Sequence, residues 1–492
     1  MNEKKDPESI ELKFILELLN SNKFLDAKKE IDKKIIKFPN SSILYNILGA
    51  ILAGQNQLEE AVKNYKKSIK INPEYAAVYN NLGIALQKLN KTTEAIENYR
   101  KAISLKNNFS EALNNLGNAI LNRNKPKDAL AYFKQALEIK SDYADAYYNI
   151  GIAYDKLGKR KEALDNFLKA IKIKPKYAEV YTNIGLLFLD KIEYEKSLEN
   201  FEKSIELKPD YEKAYNNLGN LFNSIGRFDE ATEKYHKAIK IKSDYALAYS
   251  NLLFNLNYKT NFDPNIYLSE AKKFSLNCKP DKKINFNFIY EKKPKKLKIG
   301  FISADFGNHP GGYFTLSTLR ELRKKDLELV AYSTFDRNDE FVHHFRTLFS
   351  KWNSIEGMGD EEVAQQIVND GIHILLDLQG HSSKNRLPIF FYKAAPIQAT
   401  WLGQGSSGIT EIDYFIGSSH ITPKKEEKDY VEKIIRLPEI SQCFTPPDFN
   451  LKIDSLPALK NNFITFGCLN KFSKMNDEVI ALWSKILLSI PK

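Results

Sequence analysis

A glycine recurs every 34 residues, at Gly49, Gly83, Gly117, Gly151, Gly185 and Gly219. No other feature constrains the fold as much, because a short unit repeated in tandem buries its apolar face only against its own neighbours. Two further columns run in the same phase: Ala27, Ala61, Ala95, Ala129, Ala163, Ser197 and Ala231, and the prolines Pro39, Pro73, Pro175 and Pro209. Small residues belong where two helices cross closely. Proline belongs just after a helix, which it cannot continue. Between these columns lie helical spacings such as Glu60-Ala61-Val62…Tyr65…Ile69.

Period and columns together resemble the tetratricopeptide repeat, a helix–turn–helix unit. They predict an α-solenoid of seven units over roughly residues 8–245, with an eighth helix opening near Tyr249. A fourth column is more specific: Asn81, Asn115, Asn149, Asn183, Asn217 and Asn251, each two positions before the repeat glycine or, in the last case, before Leu253. In such a superhelix the first helix of each repeat lines the concave face. The column therefore predicts a ladder of amides, each with a donor and an acceptor for the backbone of an extended protein segment. The plainer reading is an amide that bonds locally between repeats. Six in register, broken only by Ile47 among repeats two to eight, exceed what local bonding needs.

Composition excludes several classes. Hydrophobic residues make up 43% and charged residues 27%, as in a soluble globular protein. No apolar run is long enough to cross a bilayer, and the charged start, Met1 to Ile10, has no signal-peptide pattern, so no membrane partner is expected. Cys278, Cys443 and Cys468 stand too far apart for a CxxC pair or a disulfide framework, which suggests a reducing, cytoplasmic setting. The net charge is 73 − 62 = +11, but the lysines are dispersed as pairs such as Lys66-Lys67. That pattern reads as solvated helix faces, with no nucleic-acid partner.

The repeat phase fails after Tyr258, and one more helix is expected over Tyr267–Phe274. From Leu297 short apolar runs alternate with helical stretches. Strands are expected at Leu297–Ser303, Leu329–Thr334, Ile372–Leu378, Ile397–Leu402 and Tyr414–Ile416, with helices at Phe314–Arg323, Glu340–Phe349 and Glu361–Val368. This alternation predicts a parallel sheet between helices, with ligands at the carboxyl ends of the strands. Two loops lie there: Ser303–Gly312, which carries His309, and the flexible, amide-rich Gly403–Gly408.

Five stretches carry a family resemblance: KIGFISADFGNHP (298–310), DGIHILLDLQG (370–380), APIQATWLG (395–403), EKIIRLP (432–438) and FGCLNKFSK (466–474). With the repeats, they resemble the protein O-GlcNAc transferases, including the SPINDLY branch. The resemblance implies a two-lobed, Rossmann-like, inverting glycosyltransferase. It would need no cofactor and no metal, and would move N-acetylglucosamine from UDP-GlcNAc to Ser or Thr hydroxyls. It places the proposed catalytic histidine at His309, as base or as substrate-orienting group. Leu402, Gly403 and Lys474 fall at donor-binding positions, with Lys474 opposite the diphosphate. Asn81, Asn115, Asn149, Asn183, Asn217 and Asn251 fall on the protein-substrate ladder. His381, beside Gly380, is a secondary donor-pocket candidate. His373 reads as core, and His343, His344 and His236 as surface residues with no metal-ligand spacing.

The chain then divides into a tetratricopeptide superhelix (1–258), a helical linker (259–296), a first Rossmann-like lobe (297–445), and a linker with the start of a second lobe (446–492). In that last part Asn462–Leu469 is expected as a strand and Asn476–Leu488 as a helix capped by Asn476. Three departures from the family stand out: Gly312-Tyr313 where a second histidine is common, a shorter loop after Gly403, and no His-Thr-Thr-Gly stretch before Lys492. The first two leave O-fucosyl transfer as an alternative. The third suggests a fragment or a truncated relative with little transfer of its own, or a binding scaffold beside a silent remnant.

Overall fold

The computed structural model describes residues 9–281, 294–337, 339–446, 454–470 and 474–490, with 7, 284 and 286 as isolated positions. It forms two compact units, Met1–Ile184 and Gly185–Lys492.

In the first unit the repeats are antiparallel helix pairs, such as Ala76–Lys88 with Thr92–Leu105 and Ser110–Asn122 with Pro126–Ile139. The glycine column has a steric cause. A Cβ on Gly83 would stand 2.5 Å from the Tyr99 ring, and one on Gly117 2.6 Å from Phe133. Each glycine thus seats an aromatic ring of its partner helix, and Tyr99 and Phe133 are fully buried there. The alanine column lies at the same crossings, with Ala27, Ala61, Ala95, Ala129 and Ala163 all at 0% exposure. The turn inside each pair holds a left-handed residue: Asn22, Asn56, Asn90, Asn124 and Gly158, with φ from 55° to 72°. These are the residue types that adopt that conformation at least cost.

The second unit begins with the same chemistry. The Gly219 position lies against the Tyr235 ring, 2.6 Å from where its Cβ would be. Ser197, the one break in the alanine column, donates from Oγ to the Gly185 carbonyl at 2.8 Å, so its hydroxyl is satisfied in the crossing. Two more helices follow: α1 (Ala246–Leu256) and α2 (Pro264–Cys278), the latter capped by Asp263.

Among the described residues the α/β part has seven strands: β1 (Leu297–Ser303), β2 (Leu327–Ser333), β3 (Lys351–Ser354), β4 (Ile374–Asp377), β5 (Ile397–Trp401), β6 (Tyr414–Ser418) and β7 (Lys433–Leu437). All pairings are parallel, in the order β3-β2-β1-β4-β5-β6-β7. The helices between them are α3 (Pro310–Arg323), α4 (Glu340–Arg346) and α5 (Asp360–Asn369). Successive residues of a strand face opposite sides. Phe301 packs with Leu316 and Leu319 of α3, while Ile302 packs with Val363, Ala364 and Ile367 of α5 and with Tyr249 and Phe274 from α1 and α2. The sheet is therefore covered on both faces.

Helix α6 (Asp477–Leu488) forms as expected, with Asn476 Oδ1 accepting from Val479 N at 2.9 Å. The strand expected at Asn462–Leu469 does not form. Residues 457–461 are a short helix, and the rest of that stretch has no ladder partner. Its side chains, among them Phe463, Ile464, Phe466 and Leu469, are exposed, and a strand alone gains neither hydrogen bonds nor a buried face.

Candidate functional site at the carboxyl edge of the sheet

Strand order reverses between β1 and β4, which opens a crevice outside their carboxyl ends. Gln379, just past β4, bridges it. Its Oε1 accepts from Ala304 N at 2.9 Å and its Nε2 donates to the Ser383 carbonyl at 3.0 Å. The loop after β5 closes on the same place, since a Cβ on Gly380 would stand 3.0 Å from Gly403 Cα. Three loops, after β1, β4 and β5, thus converge.

His309 is the N-cap of α3 and its side chain is 41% exposed. Its Nδ1 accepts from Gly311 N at 3.2 Å and lies 3.1 Å from Asp305 Oδ1. Leu402, directly after β5, has φ of 70°, a conformation a branched side chain rarely takes. Such strain costs about 1–3 kcal/mol and is typical of ligand loops held by their surroundings. Lys474 is exposed, with Nζ 5.9 Å from the Tyr258 ring, and it lines a recess with Asn257, Gln404 and Asn476. The structure thereby brings Lys474 next to the loop that holds Leu402 and Gly403.

Two buried carboxylates that the sequence reading passed over fix these loops. Asp377, the last residue of β4, accepts from Thr400 Oγ1 and Gly380 N at 2.7 Å each, and from Gln379 N at 3.2 Å. Burial pushes its carboxyl up to about 6, against the pull of those three donors. Glu432 accepts from Ser406 Oγ at 2.7 Å, from Ser407 N at 2.8 Å and from Ser407 Oγ, and burial raises it too. The inner half of the Gly403–Gly408 loop is therefore pinned rather than flexible. A Cβ on Gly408 would fall 2.1 Å from the Ala271 carbonyl of α2, so that half rests directly on a helix.

His381 also differs from expectation. It is 6% exposed, and both ring nitrogens are taken: Nδ1 lies 3.1 Å from Ser250 Oγ of α1, and Nε2 lies 3.0 Å from the Ser407 carbonyl. Burial lowers it to about 4, so it is neutral at pH 7. It has no nitrogen left for a donor sugar and acts as a joint between the last repeat helix and the β5 loop. His373 is a strand-end histidine whose Nδ1 accepts from Lys298 N at 3.0 Å.

The description Glycosyl transferase family 41 matches residues 273–456, and tetratricopeptide descriptions match stretches from residue 49 to residue 252. Residues 273–456 are thus similar to family 41 glycosyl transferases, and they follow stretches similar to tetratricopeptide repeats. A probable UDP-N-acetylglucosamine–peptide N-acetylglucosaminyltransferase SPINDLY of Petunia hybrida is 32% identical over 202 residues, which are 40% of this chain and 22% of that protein. A probable enzyme of the same description, SEC of Arabidopsis thaliana, is 29% identical over 210 residues, 40% of this chain and 21% of the relative. The chain thus spans about a fifth of the length of these curated relatives. A mutant O-GlcNAc transferase of Thermobaculum terrenum shares the fold, with a TM-score of 0.58 at 24% identity over 77% of this chain and 66% of that one.

Ahead of the stretch that matches family 41, all of the ladder asparagines but Asn217 are tied to the repeat before them. In the first unit Asn81, Asn115 and Asn149 donate from Nδ2 to Oδ1 of Asn46, Asn80 and Asn114 at 2.9–3.0 Å, and Asn183 donates to Tyr148 Oη at 3.0 Å. In the second unit Asn251 donates to Asn216 Oδ1 at 2.9 Å, and Asn217 Oδ1 lies 3.3 Å from Asn216 Nδ2. The local reading is thus realised for one N–H of most of these amides. Oδ1 of Asn81, Asn115, Asn149 and Asn251 takes no bond from the described residues, which leaves an acceptor on each.

Proposed function

We propose that this chain supplies the substrate-gripping repeats and acceptor-side lobe of a protein O-linked N-acetylglucosaminyltransferase. The acceptor is a Ser or Thr hydroxyl in an extended protein segment, and the donor is UDP-GlcNAc. The observation that carries the reading is the convergence of the β1, β4 and β5 loops, with exposed His309 and strained Leu402, inside the region that matches family 41. The hydroxyl oxygen bonds to C1 of the sugar, the C1–phosphate bond breaks, and UDP leaves with the electron pair. His309 takes the hydroxyl proton. Lys474, beside Gln404, offers a cation to the diphosphate, which makes a metal unnecessary there. Leu402 and Gly403 border the donor, and the carbonyl oxygens of Asn81, Asn115, Asn149, Asn183, Asn217 and Asn251 accept from the peptide backbone. A cytoplasmic location fits, and among the described residues no helix is long and apolar enough to cross a membrane.

The test is a donor screen read by mass spectrometry, on protein expressed with whatever its gene encodes beyond Lys492. Incubation with UDP-GlcNAc and a Ser/Thr peptide should add one N-acetylhexosamine, and His309→Ala should slow transfer by about 100-fold or more. Transfer only from GDP-fucose would replace the donor. Peptide binding without transfer from any donor would leave a binding array.

A further inference from the structure

We infer that Asp339 is a positioning residue for His309: from the cap of α4 it binds the backbone N–H of Asn308 and so fixes where the imidazole stands in the crevice. What that position is worth in transfer rests on the transferase reading above; the placement itself is a property of this chain.

One carboxylate makes two kinds of contact here. As the N-cap of α4, Asp339 Oδ1 accepts from Val342 N at 2.9 Å. The same group reaches the loop after β1, where Asn308 N donates to it at 3.2 Å on Oδ1 and 3.1 Å on Oδ2. Capping needs only the first contact. The second ties α4 to the residue directly before His309.

The loop is shaped to receive the carboxylate. Gly307 has φ of 153°, a conformation that favours glycine. A Cβ there would stand 2.7 Å from Arg337 Cδ and 2.8 Å from Asp339 Oδ2. On its other side, the Gly307 carbonyl accepts from His309 N at 2.8 Å and lies 2.3 Å from where a Cβ on Gly312 would be. Gly307 is thus enclosed between Asp339 and the first turn of α3, with His309 bonded to it.

Helix α4 is a firm base for this contact. Phe345 is fully buried, and its ring lies 5.7 Å from that of Phe306, the residue before Gly307. Arg337, two residues before Asp339, donates from Nε to the Ala304 carbonyl at 2.9 Å, and Tyr313 Oη donates to Asn308 Oδ1 at 3.0 Å. The imidazole itself is 41% exposed and accepts from Gly311 N, only two residues on. The placement of His309 therefore comes from the backbone that carries it, and Asp339 holds that backbone from outside the loop.

Histidine-selective NMR tests the placement, with His309→Gln used to assign the His309 ring signals. Asp339→Ser keeps a capping side chain for α4 but is too short to span both N–H groups. It should shift the His309 signals while those of His343 and His344, on α4, stay in place. Asp339→Asn keeps an oxygen that both N–H groups can share and should shift them less. His309 signals unmoved by Asp339→Ser overturn the inference. If that variant also moves His343 and His344, α4 has loosened, and Gly307→Ala, which presses on the contact from the loop side, decides: unmoved His309 signals there overturn the inference equally. Where transfer is measurable, Asp339→Ser should lower kcat by about 10- to 100-fold with the peptide KM unchanged, because a misplacement of about 1 Å costs up to that much. Full kcat in that variant overturns the positioning role. Shifted His309 signals in a protein that transfers nothing would sink the transferase reading and leave the placement standing.

Discussion

Ile192 occupies the turn position that asparagine or glycine fills in the other described repeats, with φ of 64°. A β-branched side chain pays about 1 kcal/mol or more for that backbone, and at 69% exposure it recovers little by burial. Ile192→Asn should therefore raise stability by about 1 kcal/mol in a denaturant titration; an unchanged midpoint would mean the turn is not strained. The sequence reading passed over the turn column, although Asn22, Asn56, Asn90 and Asn124 repeat at the period of the glycines. His309 was readable, as a histidine just past a strand. Its neighbour Asp305 was not, because four residues of separation in a loop say nothing of contact. Nor did anything local mark Asp377 or Glu432, whose roles come from Thr400, Ser406 and Ser407 on other segments.

Among the elements, the repeat helices were legible because each carries its own periodic signal. Most strands were too, as apolar runs between turns. Strand β3 was missed because Lys351–Ser354 has one buried residue and no alternation to detect. Strand β7 lies in a stretch noticed only for its resemblance, and its residues are at most half-buried. The seating of aromatics on glycines makes a sharp prediction. Gly117→Ala would gain ~0.5–1 kcal/mol of helix propensity. Its methyl, however, would sit 2.6 Å from the fully buried Phe133 ring, and forcing such a pair apart costs ~1–3 kcal/mol. The clash should win, with a lower Tm by circular dichroism; a higher one would show that the crossing is looser than described.

For the molecule as a whole, buried groups of opposite sign enter the response of the second unit to acid: His381 is lowered by burial, while Asp377 and Glu432 are raised. His381 is lowered from 6.5 to about 4, so its contribution is present above pH 6.5 and is lost as pH falls through 4. Asp377 is raised from 3.8 to about 6, so its contribution is present below 3.8 and is lost as pH rises through 6. Each spans roughly 3 kcal/mol, and the two nearly cancel. A single variant separates them. His381→Gln should cost stability at pH 7 and progressively less between pH 6.5 and 4, where a constant difference from wild type would mean the histidine does not titrate there.

The glycine and its aromatic lie 16 residues apart inside one 34-residue unit, as Gly83 and Tyr99 do. No unit borrows either half of that pair from a neighbour. Duplication or loss of one whole unit in the gene would therefore leave every remaining pair intact, so the number of units is free to change in evolution by whole steps while each crossing is inherited unchanged.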